Sequence, residues 1–450
     1  MKPIPKRPLI PIITDLLEYS EAAKNPILFA QKKLLKYGDV CEVSFSGIKS
    51  FLIHDPEVIK EILTTQASKM KRTYFFKVLR KFLGNGLFTS DGESHKQHRK
   101  LIKPAFYPQR IEEYSSIMVG CADEETENWK SGENININEA MTRITLQVIT
   151  RVMFGSGLDQ LKVNEVGKNF QSALETVVRI IQNPFFVYCL INEIKIPIVR
   201  KFLRLKREMT KLIDQIISSY RQGKELNKKS LLAMLMDAKD EDTGTGMTDS
   251  QLRDEIMTFY LTGHVTISLA LTWTLYLIGK HPESKQEFYQ EISTKLQNRR
   301  PQSSDFSSLH FTGNMLKESL RLYPPAWTFA RAPIEDVEIK GFRFPKDSVL
   351  WTVTYLLHHN EKYFHDPEKF IPERWDEETM KDIPKCAYIP FGAGNRMCIG
   401  EGFAWMEGVL ILATIASKFR LDLPKDFSTN INPLITLTTT ENVWMTAEKI

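Results

Sequence analysis

Cys398 lies in a segment that could hold a reactive thiolate. Residues 391–400 read Phe-Gly-Ala-Gly-Asn-Arg-Met-Cys-Ile-Gly, so glycines flank the cysteine on both sides. Glycine permits a tight backbone that brings N–H groups to the sulfur and stabilises negative charge there. The apolar run after Gly400 predicts a helix over Glu401–Phe419, whose N-terminus would also favour an anion. A cysteine held in this way is suited to binding a metal such as iron.

Two pairs of polar residues elsewhere stand at helical spacings. Glu318 and Arg321 are three residues apart, and His95 and Arg99 are four apart, so each pair would share one face of a helix. Taken alone, the first pair could be an ordinary helix salt bridge and His95 an ordinary surface histidine. Their meaning therefore depends on the segments around them.

Together these segments resemble the cytochrome P450 family. The resemblance covers nearly the whole chain and is strongest over residues 92–106, 250–275 and 314–404. It implies a haem b cofactor whose iron takes the Cys398 thiolate as axial ligand. The residues that match the family's cysteine-loop signature in identity and spacing are Phe391, Gly394, Arg396, Cys398 and Gly400.

The resemblance also gives roles to the charged residues. Arg396 would neutralise a haem propionate, and the further propionate ligands would be His95, Arg99 and Arg331. A structural triad beside the haem would consist of Glu318, Arg321 and Arg374. Breaking that triad would leave a buried charge unpaired.

The central helix departs from the family pattern at one position. Gly263 and Thr266 match the family's glycine and threonine, but Val265 stands where the family has an acid. Splitting dioxygen needs protons, and valine cannot relay one. Asp254 and Glu255 are poor substitutes, since Glu255 lies about ten residues upstream, roughly 15 Å along the helix. Three explanations stay open: water and Thr266 carry the relay, with or without a substrate hydroxyl; the enzyme uses peroxide or chemistry without dioxygen cleavage; or an acid was replaced by engineering.

A distal pocket for a small lipophilic substrate follows from the same resemblance. Apolar and aromatic side chains dominate the expected lining, which suits a lipophilic ligand. The chain is similar to soluble bacterial members that oxidise fatty acids, terpenoids or carotenoids. The expected pocket residues are Phe75, Phe76, Leu79, Phe88, Phe259, Thr262, Ala326, Trp327 and Leu437.

Composition indicates the kind of compartment in which the protein works and the kinds of partner that it does not bind. The 450 residues carry a net charge of +5 with cations and anions interspersed, which argues against nucleic-acid binding. Five cysteines stand far apart without a CxxC pair, which fits a reducing compartment, and we expect a cytoplasmic monomer. The apolar stretches are too short or too broken for a membrane anchor.

The predicted fold is mainly α with a minor β region, in a single domain over residues 1–450. The haem would be buried between the long central helix and the cysteine loop. The helical parts are expected at about 93–330 and 400–419, and the β-rich parts at about 38–55, 335–356 and 430–450. The long helices are predicted at Arg110–Ser131, Asn138–Phe154, Val163–Gln182, Arg200–Gly223, Ser250–Lys280 and Pro282–Gln297.

These features predict a haem-thiolate monooxygenase that inserts one atom of dioxygen into its substrate by hydroxylation or epoxidation. The chain has no Gly-rich flavin or nicotinamide domain and no iron–sulfur cysteine cluster. Electrons are therefore expected from a separate ferredoxin or flavodoxin with its reductase. The alternatives are a haem-thiolate peroxygenase or isomerase, and a non-catalytic haem sensor or lipid carrier.

Overall fold

A computed structural model describes residues 2, 4, 18, 20–45, 48–155, 172–173, 175–180, 183–223 and 229–450. Helices dominate the described part. They are α1 (Pro26–Tyr37), α2 (Pro56–Leu63), α3 (Phe76–Leu83), α4 (Gly92–Ile102), α5 (Pro108–Thr126), α6 (Ile137–Phe154), α7 (Pro184–Ile191), α8 (Pro197–Arg221), α9 (Leu231–Asp237), α10 (Asp249–Lys280), α11 (Pro282–Leu296), α12 (His310–Leu322), α13 (Thr354–His358), α14 (Glu377–Met380) and α15 (Glu401–Ala416).

Short strands form four small sheets in the described part. The strands are β1 (Val40–Phe45), β2 (Ile48–Ile53), β3 (Met70–Lys71), β4 (Glu133–Asn136), β5 (Phe329–Pro333), β6 (Val337–Ile339), β7 (Phe342–Phe344), β8 (Val349–Thr352), β9 (Phe419–Asp422), β10 (Ile431–Pro433), β11 (Leu437–Thr439) and β12 (Trp444–Lys449). The largest sheet has the order β1-β2-β8-β5-β3, and a second has the order β4-β12-β9. The hairpins β6–β7 and β10–β11 complete the set.

Helix α10 is the centre of the fold. Its N-terminus is closed by a capping box in which Thr248 and Gln251 satisfy each other's backbone N–H groups. It is the one described helix long and apolar enough to cross a membrane, but 67% of its most apolar window is buried inside the protein. Helix α6 lies against it closely, since a Cβ added at Gly263 would sit 2.8 Å from Ile149 Cδ1. The length and apolar composition of α10 are therefore explained by its position inside the hydrophobic core.

The main hydrophobic core lies where α5, α6, α12 and α15 surround α10. A second cluster lies against the five-stranded sheet, where β2 pairs with β8 in parallel and with β1 in a hairpin register of Val40 with Ile53. The cysteine loop enters between these regions, immediately before α15. The main hydrophobic core and the second cluster therefore pack against the loop from opposite sides.

The mainly α fold with minor sheets is confirmed, while several boundaries differ from the prediction. The last long helix ends at Ala416 rather than Phe419, because Phe419 begins β9 and pairs with Lys449 of β12. Strands β3, β4, β5 and β9 lie outside the expected β-rich stretches. Their pairing comes from distant segments, which local periodicity does not report. Most of the helix predicted over residues 163–182 lies outside the described residues.

Candidate functional site

The cysteine loop has a tightly specified backbone. The Cys398 N–H donates to the Phe391 carbonyl at 2.9 Å, and the Met397 N–H donates to the Gly394 carbonyl at 3.1 Å. Gly394 has a φ of +70°, and a Cβ there would lie 1.9 Å from the Leu63 carbonyl oxygen. Only glycine is compatible with both conditions. The loop therefore docks directly on the end of α2.

The Cys398 side chain has accessible surface, although the sulfur lies deep among protein atoms. A residue that faces an internal space would combine these two properties. Burial raises the pKa of the Cys398 thiol to about 11, while the Gly400 N–H and the Arg99 charge act in the opposite direction. The free thiol is thus protonated at neutral pH, and a bound metal ion would displace that proton.

A buried cluster of cations faces the same region. Arg72, Arg331 and Arg396 line one small pocket together with Asp91. Arg396 Nη2 donates to Asp91 Oδ1 at 2.7 Å. Arg72 Nε and Arg396 Nη1 are buried without a hydrogen-bond partner among the described residues. Burial and the nearby Arg396 lower the pKa of Arg331 to about 10, so this guanidinium is also short of counter-charge.

Helix α4 places His95 and Arg99 in two different parts of the site. His95 is buried, and burial together with Arg396, Arg72 and Arg99 lowers its pKa to about 3, so the imidazole is neutral. Arg99 Nη1 donates to the Met397 carbonyl at 2.9 Å. His95 therefore lies with the cation cluster, whereas Arg99 lies beside the cysteine loop.

These residues fit a haem group. The donor is a thiolate in a glycine-rich cradle, as thiolate-ligated haem iron requires. Three partly buried guanidinium groups face one carboxylate in this pocket, and its Lys71 is paired with Asp347, which leaves an excess of two positive charges for the two haem propionates. The unsatisfied N–H groups of Arg72 and Arg396 would gain acceptors from those carboxylates.

Helix α10 presents Gly263, Val265 and Thr266 as partly exposed residues in the interior, while His264 is buried. Thr266 Oγ1 donates to the Thr262 carbonyl at 3.0 Å. His264 Nδ1 contacts the Tyr260 carbonyl, and burial lowers the pKa of His264 to about 4. The neutral, buried His264 is thus no replacement for an acid at position 265.

The expected pocket residues separate into two groups. Phe75, Phe76 and Phe88 are half-buried and form edge contacts, with the Phe76 and Phe88 ring centroids 5.4 Å apart. Thr262 is also partly exposed, and Ala326 is exposed. The others are buried in packed clusters: Leu79 and Phe259 in the main core, Trp327 and Leu437 beside α1.

Glu318, Arg321 and Arg374 are brought together in full burial. Glu318 Oε1 accepts from Arg321 Nη2 at 2.8 Å and from Arg374 Nε at 3.3 Å. Glu318 Oε2 accepts the Trp375 indole N–H at 2.9 Å, a contact that the sequence did not indicate. Arg321 Nη1 also donates to the His358 and Pro367 carbonyls at 2.9 and 2.7 Å. The triad thus joins α12 to the segment that leads to the cysteine loop.

Sequence reasoning missed Arg72 and Asp91. The Arg72 guanidinium lies over the rings of Phe76 and Phe88, with its carbon 4.3 and 5.1 Å from their centroids. Asp91 accepts from Arg396, which is 305 residues away. The proximity of Arg72 to two aromatic residues was visible in the sequence, but its approach to Arg331 and Arg396 was not.

Comparisons with known proteins agree with this geometry. The family model described as Cytochrome P450 matches residues 4–444. Cyclooctat-9-en-7-ol 5-monooxygenase of Streptomyces melanosporofaciens is 31% identical over 398 residues, which cover 88% of this chain and 85% of that protein. Pentalenene oxygenase of Streptomyces avermitilis is 28% identical over 404 residues, covering 90% and 88%. The crystal structure of the cytochrome P450DA heme domain is 25% identical with a TM-score of 0.88, covering 100% of this chain and 98% of that one.

Proposed function

Because this chain belongs to the cytochrome P450 family and is a monooxygenase of that family, we propose that it hydroxylates or epoxidises a terpenoid-like lipophilic substrate. The observation that carries the proposal is that the glycine-rich Cys398 loop contributes Arg396 to a pocket shared with Arg72 and Arg331, where the cations exceed the one carboxylate of Asp91. Two relatives at about 30% identity are named for the oxidation of terpenoid compounds, which supports the substrate class.

The cofactor in this proposal is haem b. Held by the Cys398 thiolate, the haem would supply the iron chemistry that activates dioxygen for oxygen insertion. Thr266 would hold a hydroxyl proton near the reacting atoms, and Gly263 lets α6 approach the helix at this level, because a Cβ there would lie 2.8 Å from Ile149 Cδ1. The residues proposed to hold the propionates are Arg72, His95, Arg331 and Arg396. Arg99 steadies the cysteine loop through the Met397 carbonyl and supplies a positive charge near the thiolate.

The substrate would lie against the half-buried aromatic wall of Phe75, Phe76 and Phe88, with Thr262 and Ala326 completing the lining. The free ring surfaces of this wall would offer apolar contact to the ligand, while the Arg72 guanidinium covers one side of Phe76 and Phe88. Leu79 and Phe259 belong to the core cluster against which this wall packs, whereas Trp327 and Leu437 lie in the cluster beside α1.

Electrons would come from a separate ferredoxin or flavodoxin with its reductase. Lys385 is exposed on the segment that precedes the cysteine loop and offers a cation to an acidic carrier. We place the enzyme in the cytoplasm as a single-domain monomer.

The proposal is tested by titrating the purified ferric protein with fatty acids, terpenoids, steroids and carotenoids while its absorption spectrum is recorded. We expect a thiolate-haem spectrum at rest and a spin-state change with a terpenoid at low concentration. A shift with another class alone would refute the substrate class. A protein that gives no thiolate-haem spectrum after haem reconstitution would refute Cys398 ligation.

A second function, peroxide-driven oxygenation, is favoured by Val265, because peroxide brings the protons that the missing acid would supply. It predicts substrate turnover with hydrogen peroxide alone at a rate equal to or above that with the electron carriers. Turnover that requires the carriers would reject it.

A further inference from the structure

The proposed reaction needs a route by which protons reach the reacting atoms. Inserting one oxygen atom from dioxygen consumes two electrons and two protons and releases one water molecule. The electrons come from the carrier protein, and Val265 cannot deliver the protons. We propose that Glu255, Thr258 and Thr262 form a proton relay along one face of α10 that ends at the Thr266 hydroxyl. The proposal rests on the proposed use of dioxygen.

The four side chains share one face of the helix. Their separations of three, four and four residues return to the same face at each turn. Each step advances about 4.5 to 6 Å along the axis. Two hydrogen bonds of about 2.8 Å through one water molecule span such a step. The spacing therefore suits a chain in which side-chain oxygens alternate with water.

The outer end of the relay is a fully buried carboxyl group. The Leu87 N–H donates to Glu255 Oε1 and Oε2 at 2.9 and 3.0 Å. His98 Nδ1 lies 2.7 Å from Glu255 Oε1, so the imidazole is in direct contact with the carboxyl group. Glu255 and His98 are 0% and 2% exposed, so this carboxyl group exchanges protons only through its neighbours.

Thr258 lies next along the face and has an unused hydroxyl. Thr258 Oγ1 is buried and has no hydrogen-bond partner among the described residues. A Cβ added at Gly86 would lie 2.5 Å from that oxygen, and Gly86 directly precedes Leu87, which holds Glu255. One short segment thus covers both Glu255 and Thr258 and places them on the same side of α10. A buried hydroxyl of this kind needs a partner, and a relay water would be one.

Thr262 and Thr266 continue the path into the interior. Thr262 Oγ1 donates to the Thr258 carbonyl at 2.9 Å, and Thr266 Oγ1 donates to the Thr262 carbonyl at 3.0 Å. Each hydroxyl keeps its acceptor lone pairs and can rotate to pass a proton on. Both residues are partly exposed in the interior, unlike Glu255 and Thr258. The face thus runs from a buried acid to the reaction space.

The charges around Glu255 suit a proton donor. Burial raises the pKa of Glu255, and the neighbouring Asp254 adds to that effect, while His98 and the Leu87 N–H oppose it. Beyond them, Lys206 of α8 and Arg253 lie near Asp254. His98 Nε2 is 3.5 Å from the Gln251 side-chain nitrogen, and Gln251 is partly exposed. The His98 side chain is therefore the contact through which solvent can return a proton to Glu255.

Each passage along the relay moves one proton and returns every group to its starting state. Glu255 gives its proton to Thr258, the hydroxyls of Thr258 and Thr262 each accept one proton and release another, and Thr266 delivers one to the reaction space. Water then reprotonates Glu255 through His98. Two such passages supply the two protons of one turnover. Glu255 acts through Thr266 and is a positioning residue, since it does not touch the reacting atoms.

The test compares Glu255→Gln with Asp254→Asn, which removes a carboxylate from the adjacent position off the relay face. With electron carriers, we expect Glu255→Gln to lower the rate of product formation about 10- to 100-fold, to release more hydrogen peroxide and to flatten the pH profile. Asp254→Asn keeps an oxygen that can accept the Asn85 N–H and removes only the negative charge, so its effect on the rate should be much smaller than that of Glu255→Gln. Glu255→Asp, which retains an acid, should recover part of the loss.

Two further measurements separate proton supply from structural damage. Turnover supported by hydrogen peroxide should be preserved in Glu255→Gln, because peroxide brings its own protons and electrons. Adding Val265→Glu to Glu255→Gln should restore coupled turnover. Equal loss with carriers and with peroxide, or no restoration by Val265→Glu, would overturn the relay.

A measurement that needs no turnover completes the design. Infrared difference spectra should contain a protonated-carboxyl band that Glu255→Gln removes and that Thr258→Val shifts, while Thr274→Val, a buried threonine elsewhere on α10, leaves it unchanged. A band that does not respond to Thr258→Val would refute the contact between the two groups. If the unmodified protein shows no carrier-dependent turnover, the proposed function fails, and the infrared result still decides whether Glu255 and Thr258 are coupled.

Discussion

Replacing Glu318 with glutamine should destabilise the protein by about 3 to 5 kcal/mol. The Glu318 side chain is completely buried and accepts hydrogen bonds from Arg321, Arg374, the Trp375 indole and the Ile371 backbone N–H. Glutamine keeps one acceptor oxygen but turns an N–H group toward these donors. The buried guanidinium groups would then lack a counter-charge.

The magnitude follows from the bonds that are lost and those that remain. A hydrogen bond to a charged group contributes about 1.5 to 3 kcal/mol, and at least two to Glu318 would be lost. Arg321 keeps its bonds to the His358, Pro367 and Lys369 carbonyls, which limits the penalty. Against a typical total stability of about 5 to 15 kcal/mol, the expected change is large.

Urea unfolding followed by tryptophan fluorescence and circular dichroism measures this change. The matched control is Glu373→Gln, an exposed carboxylate beside Arg374, which should stay within about 0.5 kcal/mol of the unmodified protein. A Glu318→Gln variant within about 1 kcal/mol of the unmodified protein would show that the triad is not an electrostatic support.

Three further perturbations test other parts of the structure. Gly394→Ala should sharply reduce haem retention, measured by haem transfer to apomyoglobin, because the new Cβ would clash with the Leu63 carbonyl; normal retention would contradict the loop geometry. Glu407→Leu should stabilise the protein by about 1 to 3 kcal/mol in urea unfolding, since neither Glu407 oxygen has a hydrogen-bond partner among the described residues. Burial raises the pKa of Glu407 well above its usual range, so this carboxyl opposes folding increasingly as pH rises above the pKa that it has in the unfolded chain. The gain in Glu407→Leu should therefore be larger at pH 8 than at pH 5, and an equal gain at both would refute it. Val265→Glu should raise the fraction of electron pairs that end in product if proton supply limits turnover, and unchanged coupling would argue against that limit.

Local patterns in the sequence were enough to identify the family and to predict many of the candidate site residues. The glycines around Cys398 and the apolar run that follows predict a helix after a tight loop, and α15 begins at Glu401 as expected. The pairs Glu318–Arg321 and His95–Arg99 depend only on helical spacing, which the sequence states directly. The departure at Val265 could also be found from the sequence, because comparing the central helix with the family motif is enough to show it.

Contacts between distant segments came only from the tertiary structure. Arg72, Asp91 and Arg331 lie in different elements, and their convergence with Arg396 depends on how β3 and β5 pair and where the cysteine loop docks. Strands β4 and β9 exist because β12 lies between them.

From the sequence alone, Glu255 is predicted to lie too far along the helix to replace an acid at position 265. The distance along one helix could be read from the sequence. The burial of Glu255 by Leu87 and His98, and the unused Thr258 hydroxyl under Gly86, could not. Helical spacing is a property of consecutive residues, whereas burial and charge balance depend on which distant segments pack together.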